Sequence, residues 1–351
     1  MKYRYLGKSG LLVSRICLGT MTFGMEGWGC DRPTSIAITH KFLEAGGNFI
    51  DTADMYSTGI SEEYLGEAIR DHSREDLVLA TKCWFRMKDS PNAKGLSRKH
   101  IMEALDASLR RLGCDYVDLY QVHGPDPFTP LEETLRALDD LVRSGKVRYI
   151  GCSNYFGWQI ARAGGLADRL GLTRFVGAQH MYNLLRRDIE REILPACAME
   201  GLGLLCWSPL ASGMLTGKYS RSERPPEDSR VGLRSAIDLP RYWNEGSFRI
   251  IDDVVTVAGL EGKTPAQVAL AWLLGDRRVT SVVIGARTLA QLEDSLVAGD
   301  WSLSEEMRDR LSSVEAFSLG YPHDWIGLSW GNISGQEEYP PWEISTGPVA
   351  G

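Results

Sequence analysis

Phe49-Ile50-Asp51-Thr52-Ala53-Asp54-Met55-Tyr56 opens on an apolar run, Phe49–Ala53, and leads into helical spacing over Ser61–Asp71. The unit is a strand feeding a helix. Outward from it, apolar runs at Ile16–Thr20, Leu77–Lys82, Val117–His123, Tyr149–Ser153, Val176–Met181, Leu204–Ser208 and Val282–Gly285 bring the candidate strands to eight. Segments of helical spacing alternate with them at Ser35–Ala45, Arg98–Leu112, Leu131–Ser144, Trp158–Leu170, Ile189–Glu200, Pro265–Leu274 and Leu289–Ala298. Gly46-Gly47, Gly113, Gly145 and Gly201 stand where helices should stop, and Ser97, Pro130 and Thr264-Pro265 where they should start. Eight strand–helix units in 351 residues predict an α/β protein, a parallel (β/α)8 TIM barrel. The expected organisation is a single domain over 1–351, with a barrel core at about 16–298.

Some stretches fall outside the eight units. Tyr3–Leu6 and Leu11–Ser14, joined by a Gly7-Lys8-Ser9-Gly10 turn, predict a β-hairpin plugging one end of the barrel. Ser220–Ser247 reads as a long polar insertion, either a lid or a surface excursion. Two extra helices are expected, Phe248–Glu261 and Ser304–Val314, the second opening a C-terminal segment over 304–351. The long tail Leu319–Gly351 carries Trp325, Trp330 and Trp342, and is expected to cover a pocket or pair subunits.

With 43% hydrophobic and 24% charged residues the chain can bury a full core. A net charge of −7, without a polybasic block or a basic stripe interleaved with aromatics, argues against nucleic acid and anionic membrane surfaces as partners. The seven cysteines form an odd set without a C-x-x-C pair and read as reduced core thiols. No apolar stretch of membrane-spanning length and no signal-type segment is visible, so the cytoplasm is the expected location.

Asp51, Tyr56, Lys82 and His123 all lie at or just beyond strand ends, which share one face in a parallel α/β protein. Singly, each has a plain structural reading: a helix cap, a solvated lysine, a structural histidine. Together they form a group that handles protons. A phenol has a pKa near 10, and bringing it near neutrality takes roughly 4 kcal/mol of differential stabilisation of the phenolate. Lys82 is expected to supply that, with Asp51 keeping the lysine charged and aimed and His123 bonding the oxygen of a polarised carbonyl. Such a site lacks a nucleophile and needs a hydride source, and no metal is required.

The order Asp51, Tyr56, Lys82, His123, with Ser61-Glu62-Glu63-Tyr64-Leu65-Gly66 and Gly151-Cys152-Ser153-Asn154, resembles the aldo-keto reductase superfamily from about Tyr3 to about Ser313. Similarity is greatest to bacterial members and to the potassium channel β-subunit branch. A dinucleotide fingerprint G-x-G-x-x-G is missing after the first strand, so a Rossmann domain is not expected. The loops after the seventh and eighth strands instead suit phosphate binding. The resemblance implies that Ser153, Asn154 and Gln179 hold the nicotinamide carboxamide and that Trp207 stacks on the ring. It assigns the pyrophosphate to Ser208, Leu210, Ser212, Gly213 and Lys218, with Arg230 a further candidate, and includes Pro209 in the same cofactor set. Gly285, Arg287, Gln291, Asp294 and Ser295 would surround the adenosine, Ser295 departing from the family's usual Asn. Gly19, Thr20, Met21 and Asp51 complete the expected cofactor set. Arg287 stands where a guanidinium would reach a 2′-phosphate, which favours NADP(H) over NAD(H).

The implied activity is NADPH-dependent reduction of an aldehyde, ketone or sugar-derived carbonyl to the alcohol, with Tyr56 as general acid. Met21, Phe23, Trp28, Trp84, Phe85, Phe128 and Tyr155 are candidate walls for the small-molecule carbonyl. The oligomeric state is left open. A barrel glycosidase built on Asp51, Asp54 and Glu62 is a rival that leaves Tyr56 and Lys82 without roles. A cofactor-sensing regulatory subunit on the same scaffold is the other alternative.

Overall fold

The computed structural model describes residues 1–315, 317–326 and 329. β1 (Tyr3–Tyr5) and β2 (Leu12–Ser14) pair antiparallel. β3 (Ile16–Gly19), β4 (Phe49–Asp51), β5 (Val78–Cys83), β6 (Val117–Val122), β7 (Val147–Ser153), β8 (Phe175–Met181), β9 (Gly203–Trp207) and β10 (Val279–Ile284) close into a parallel barrel in chain order, β10 pairing back onto β3. The helices of the eight units are α1 (Arg32–Glu44), α2 (Ile60–Ala68), α3 (Arg98–Leu112), α4 (Leu131–Arg143), α5 (Gly157–Leu170), α6 (Ile193–Glu200), α10 (Pro265–Gly275) and α11 (Leu289–Val297).

Strand alternation sorts the side chains into two cores. Cys17, Phe49, Val78, Ala80, Leu119, Leu205 and Val283 point into the barrel, where Leu6 and Val13 of the hairpin join them as the floor. Their strand neighbours Leu18, Ile50, Leu79, Tyr120, Leu204 and Val282 point outward against the helices. The inward residues nearer the strands' C-terminal ends are polar: Asp51, Lys82, Gln121, Ser153 and Gln179, all buried. An apolar floor thus carries a polar layer.

Several boundaries differ from expectation. β10 begins three residues before the apolar run, because Thr280 and Ser281 are buried strand residues and Ser281 Oγ donates to the Ser14 carbonyl at 2.8 Å. β7 likewise begins at Val147, where exposed Arg148 breaks the apolar pattern without breaking the ladder. α1 starts at Arg32, since Asp31 caps it by accepting from the Thr34 amide at 3.0 Å. α6 is shorter than its spacing suggests, Asp188–Glu190 forming a separate 3₁₀ turn.

The largest correction concerns the insertion. It is not one loop: α7 (Arg230–Leu233), α8 (Ser235–Tyr242) and α9 (Glu245–Glu261) occupy its second half and continue beyond it. Ser229 caps α7 and Asn244 caps α9, while Val231, Tyr242 and Phe248 anchor the three helices in the core. With α12 (Glu305–Ser313), at least four helices of the described residues stand outside the eight units instead of two, and residues 323–326 are helical as well. Most of the tail, including Trp330 and Trp342, lies outside the described residues, and Trp325 is 60% exposed. The cysteines are unpaired, with Cys17, Cys83, Cys152, Cys197 and Cys206 buried and Cys30 and Cys114 partly so. Among the described residues no helix is long and apolar enough to cross a membrane.

Candidate active site

β4 and β5 run side by side, so the inward-facing Asp51 and Lys82 meet inside the barrel. They form an ion pair through Lys82 Nζ and Asp51 Oδ1 with both side chains essentially inaccessible to solvent. The ammonium also donates to the Thr52 carbonyl at 2.8 Å and to the Tyr56 hydroxyl at 3.3 Å, which uses its three protons. Asp51 Oδ2 accepts from Gln121 Nε2 and Gln179 Nε2, both at 2.9 Å. Lys82 therefore does not close its strand, as the sequence reading expected: it is the penultimate residue of β5 and points up from the interior. Tyr56 leaves the barrel top on a short 3₁₀ turn whose Ser57 and Thr58 take positive φ, and its ring lies under the ammonium, 5.0 Å from the centroid.

The electrostatics correct one expectation. Burial raises the Tyr56 phenol above its ordinary value, and the opposing pull of Lys82 does not overcome it. Lys82 therefore limits the rise instead of bringing Tyr56 near neutrality. For Lys82 itself, burial works against the charge, but Asp51 and then Tyr56 outweigh it, so the ammonium is held above its ordinary value. His123 follows β6, its amide bonded to the Cys83 carbonyl at 3.0 Å. Burial, then the nearby Lys82 charge, pushes its pKa well below the ordinary 6.5, so the ring is neutral near pH 7. It stands edge-on to Tyr56, 5.8 Å between centroids, and to Phe85, 5.0 Å, with Nδ1 unpaired among the described residues.

These groups open onto a cavity of about 510 Å³ at the strands' C-terminal end. Gly19, Met21, Asp51, Tyr56, His123, Ser153, Asn154, Gln179, Trp207, Ser208, Pro209, Leu210, Ser212, Gly213, Lys218, Arg230, Gly285, Arg287, Gln291, Asp294 and Ser295 all line it. Two expected residues do not. Lys82 lies behind Tyr56, and Thr20 turns its hydroxyl to Ser61 Oγ at 2.7 Å. Met21, Trp28, Trp84 and Phe85 form walls, whereas Phe23 and Tyr155 are core residues and Phe128 is 92% exposed.

Whether a dinucleotide fits can be judged from the donors. Ser208, Ala211, Ser212 and Gly213 take positive φ, curling the loop after β9 into a concave turn of the sort that suits an anion. A Cβ on Gly213 would sit 3.2 Å from Lys218 Cε and Nζ, so glycine keeps the ammonium's approach open. Lys218 and Arg287 have no carboxylate partner among the described residues. Arg287 sits just before α11, its amide donating to Gln291 Oε1 at 3.0 Å. Trp207 is half-buried, its Nε1 donating to Asn154 Oδ1 at 3.2 Å. A concave turn and two uncommitted cations in one cavity fit a phosphate-rich cofactor. Not every expected contact is unengaged: the Gln179 amide already serves Asp51, and Asp294 accepts from Thr264 Oγ1 at 3.0 Å and Gln267 Nε2 at 2.8 Å.

Residues 15–316 match the profile described as the Aldo/keto reductase family. The chain belongs to the aldo/keto reductase family. A protein of Arabidopsis thaliana described as a probable voltage-gated potassium channel subunit beta is 41% identical over 311 residues, covering 86% of this chain and 92% of that one. An uncharacterized oxidoreductase of Bacillus subtilis, YrpG, is 39% identical over 90% of this chain and 96% of its own length. A versiconal hemiacetal acetate reductase of Aspergillus parasiticus is 37% identical over 87% and 94%. Aldo/keto reductase membership agrees with the barrel and with the motif order read from the sequence.

Sequence reasoning missed Gln121, whose amide helps hold Asp51. A glutamine inside the apolar run Val117–Val122, on the same alternation as Leu119, was the available signal. It also missed Arg234, Asp238 and Arg241, which line the cavity from the junction between α7 and α8 and from α8 itself. Nothing local marks them, because a polar insertion reads alike whether it folds over a site or away from it.

Proposed function

We propose that the protein is an NADP(H)-dependent oxidoreductase that reduces an aldehyde, ketone or sugar-derived carbonyl to the alcohol. The observation that carries this reading is the chain from Asp51 through Lys82 to the Tyr56 hydroxyl, which opens onto the same cavity as Trp207. NADPH, when bound, supplies the hydride. Ser153, Asn154 and Trp207 would hold its nicotinamide end, Lys218 the pyrophosphate, and Arg287 the 2′-phosphate. His123, neutral, donates a hydrogen bond to the substrate carbonyl oxygen and orients it. Tyr56 then passes its proton to that oxygen as charge develops there, and Lys82 stabilises the phenolate left behind. Burial suits this role, since an uncharged phenol retains its proton until an alkoxide forms nearby. The same reading takes the chain as a single cytoplasmic domain.

The test is to follow NADPH oxidation across a panel of carbonyls, with NADH in parallel. Steady turnover with at least one carbonyl, faster with NADPH, is the expected result. Relatives described as potassium channel β-subunits support a second reading, a regulatory subunit that senses its cofactor. Oxidation of a single equivalent of bound NADPH, without turnover, would favour that role.

A further inference from the structure

α7 and α8 place charged side chains at the cavity that the carbonyl chemistry leaves unused. Arg230, Arg234 and Arg241 line it together with Asp238, giving three positive charges against one negative. Asp238 is fully buried, yet neither of its carboxylate oxygens has a hydrogen-bond partner among the described residues. Its nearest cation is Arg234, with Nε 3.8 Å from Oδ2, too long for a hydrogen bond. Arg230 Nε is also buried without a partner, and its guanidinium lies over the Trp28 ring at 4.8 Å. Arg241 makes no ion pair among the described residues and lies 5.8 Å from the Tyr242 ring centroid. Buried polar groups left unsatisfied are uncommon; an anion would supply the acceptor that Arg230 Nε lacks, and the arginines outnumber the one carboxylate beside them.

The sign of that ligand follows from the charges, and its position from the neighbours. Arg230, Arg234 and Arg241 line the same cavity as Tyr56. Tyr242, one turn beyond Asp238, donates to Met181 Sδ at 3.3 Å at the end of β8, whose register partner on β9 is Trp207. Lys218 and Arg287, on the loops after β9 and β10, are the cations expected at the cofactor phosphates. Arg230 is expected beside the pyrophosphate as well, which leaves Arg234 and Arg241 for the substrate. Arginine offers paired donors that match a carboxylate or a phosphate.

We propose that Arg234 and Arg241, beside Arg230 and Asp238, form an anion subsite that selects carbonyl substrates carrying a carboxylate or phosphate. The inference rests on the carbonyl-reductase reading and adds the substrate class. Trp28, Trp84 and Phe85 would enclose the body of such a substrate while the arginines hold its charged end.

Matched pairs test it: benzaldehyde against 4-carboxybenzaldehyde, and glyceraldehyde against glyceraldehyde 3-phosphate, each with the wild type, the Arg234→Gln/Arg241→Gln double variant and the Arg234→Lys/Arg241→Lys pair. Wild type should prefer at least one charged member, and which pair shows the preference identifies the anion. The glutamine variant should lose about 10- to 100-fold in kcat/KM for that member through KM, with the neutral aldehydes changed less than about twofold and the lysine pair partly restored. Equal handling of neutral and charged members by wild type would overturn the proposal. So would a matching loss of NADPH affinity in the glutamine variant, which would assign these arginines to the cofactor. If no carbonyl is turned over, the carbonyl-reductase reading fails by itself. The subsite then stands or falls on whether benzoate or inorganic phosphate, titrated by tryptophan fluorescence into the NADPH-loaded protein, binds wild type more tightly than the glutamine variant.

Discussion

Lys82 and Asp51 form a buried ion pair on adjacent strands, and the lysine's remaining bonds run to the Thr52 carbonyl and the Tyr56 hydroxyl. An ammonium in this position has two duties. It neutralises a carboxylate that the barrel interior could not otherwise hold, and it limits how far burial raises the proton affinity of the phenol.

The two duties separate by mutation. Lys82→Met leaves Asp51 buried without its countercharge, and breaking a buried pair in this way typically costs about 3 to 5 kcal/mol. The double variant Lys82→Met/Asp51→Asn should regain most of that stability in thermal or urea unfolding. Turnover should remain low in both. Recovery of turnover together with stability would reduce Lys82 to a purely structural part.

Tyr56→Phe keeps the ring and removes the proposed acid, so turnover should fall by about 10² to 10⁴-fold. NADPH should still bind and quench tryptophan fluorescence. Because burial holds the phenol above its ordinary value of 10, carbonyl reduction by the wild type should change little between about pH 6 and pH 8 and decline only in strongly alkaline solution. His123, already neutral, adds no step in that range. Near-normal reduction by Tyr56→Phe would remove the proposed mechanism.

Arg287→Ala should raise the NADPH dissociation constant by about 10- to 100-fold, the loss of one charge-assisted contact, and leave NADH binding nearly unchanged. Equal losses for both cofactors, measured by fluorescence titration, would show that the guanidinium does not read the 2′-phosphate.

Asp54 offers a prediction about stability. Its carboxyl is buried, lacks a hydrogen-bond partner among the described residues, and stands near Glu62, which Arg111 Nε at 2.6 Å and Thr81 already engage. Burial, then Glu62, raises its pKa from the usual 3.8 to about 7. The folded chain therefore keeps a proton that the unfolded chain has lost between about pH 4 and pH 7, so this group's contribution to stability declines as pH rises through that window. The resulting penalty above pH 7 is at most about 4 kcal/mol, at roughly 1.4 kcal/mol per tenfold change in proton affinity. Asp54→Asn should melt higher than wild type at pH 8 and about equally at pH 4. A wild-type advantage at pH 8 would sink the assignment.

The barrel was legible because its signals are local. Phe49–Ile50 and Leu77–Ala80 are apolar enough to be buried on both faces of a strand, Gly113 and Gly201 follow α3 and α6 in left-handed conformation, and Thr264-Pro265 opens α10 with a capping box. Where polar residues are buried, as at Thr280 and Ser281, that local signal fails, and β10 runs longer than it reads.

The site was legible in its residues more than in its arrangement. The types and order of Asp51, Tyr56, Lys82 and His123 are written in the chain, and strand ends on one side of a parallel sheet bring such residues together whatever the details. Their bonding is not written there. Only the folded barrel decides that Gln121 and Gln179 hold Asp51, that burial raises the Tyr56 phenol against the pull of Lys82, and that α7 and α8 turn Arg234, Asp238 and Arg241 into the cavity. The reason is physical. Backbone periodicity and capping depend on neighbours a few residues away, whereas hydrogen-bond partners and desolvation depend on groups far apart in sequence that meet when the barrel closes.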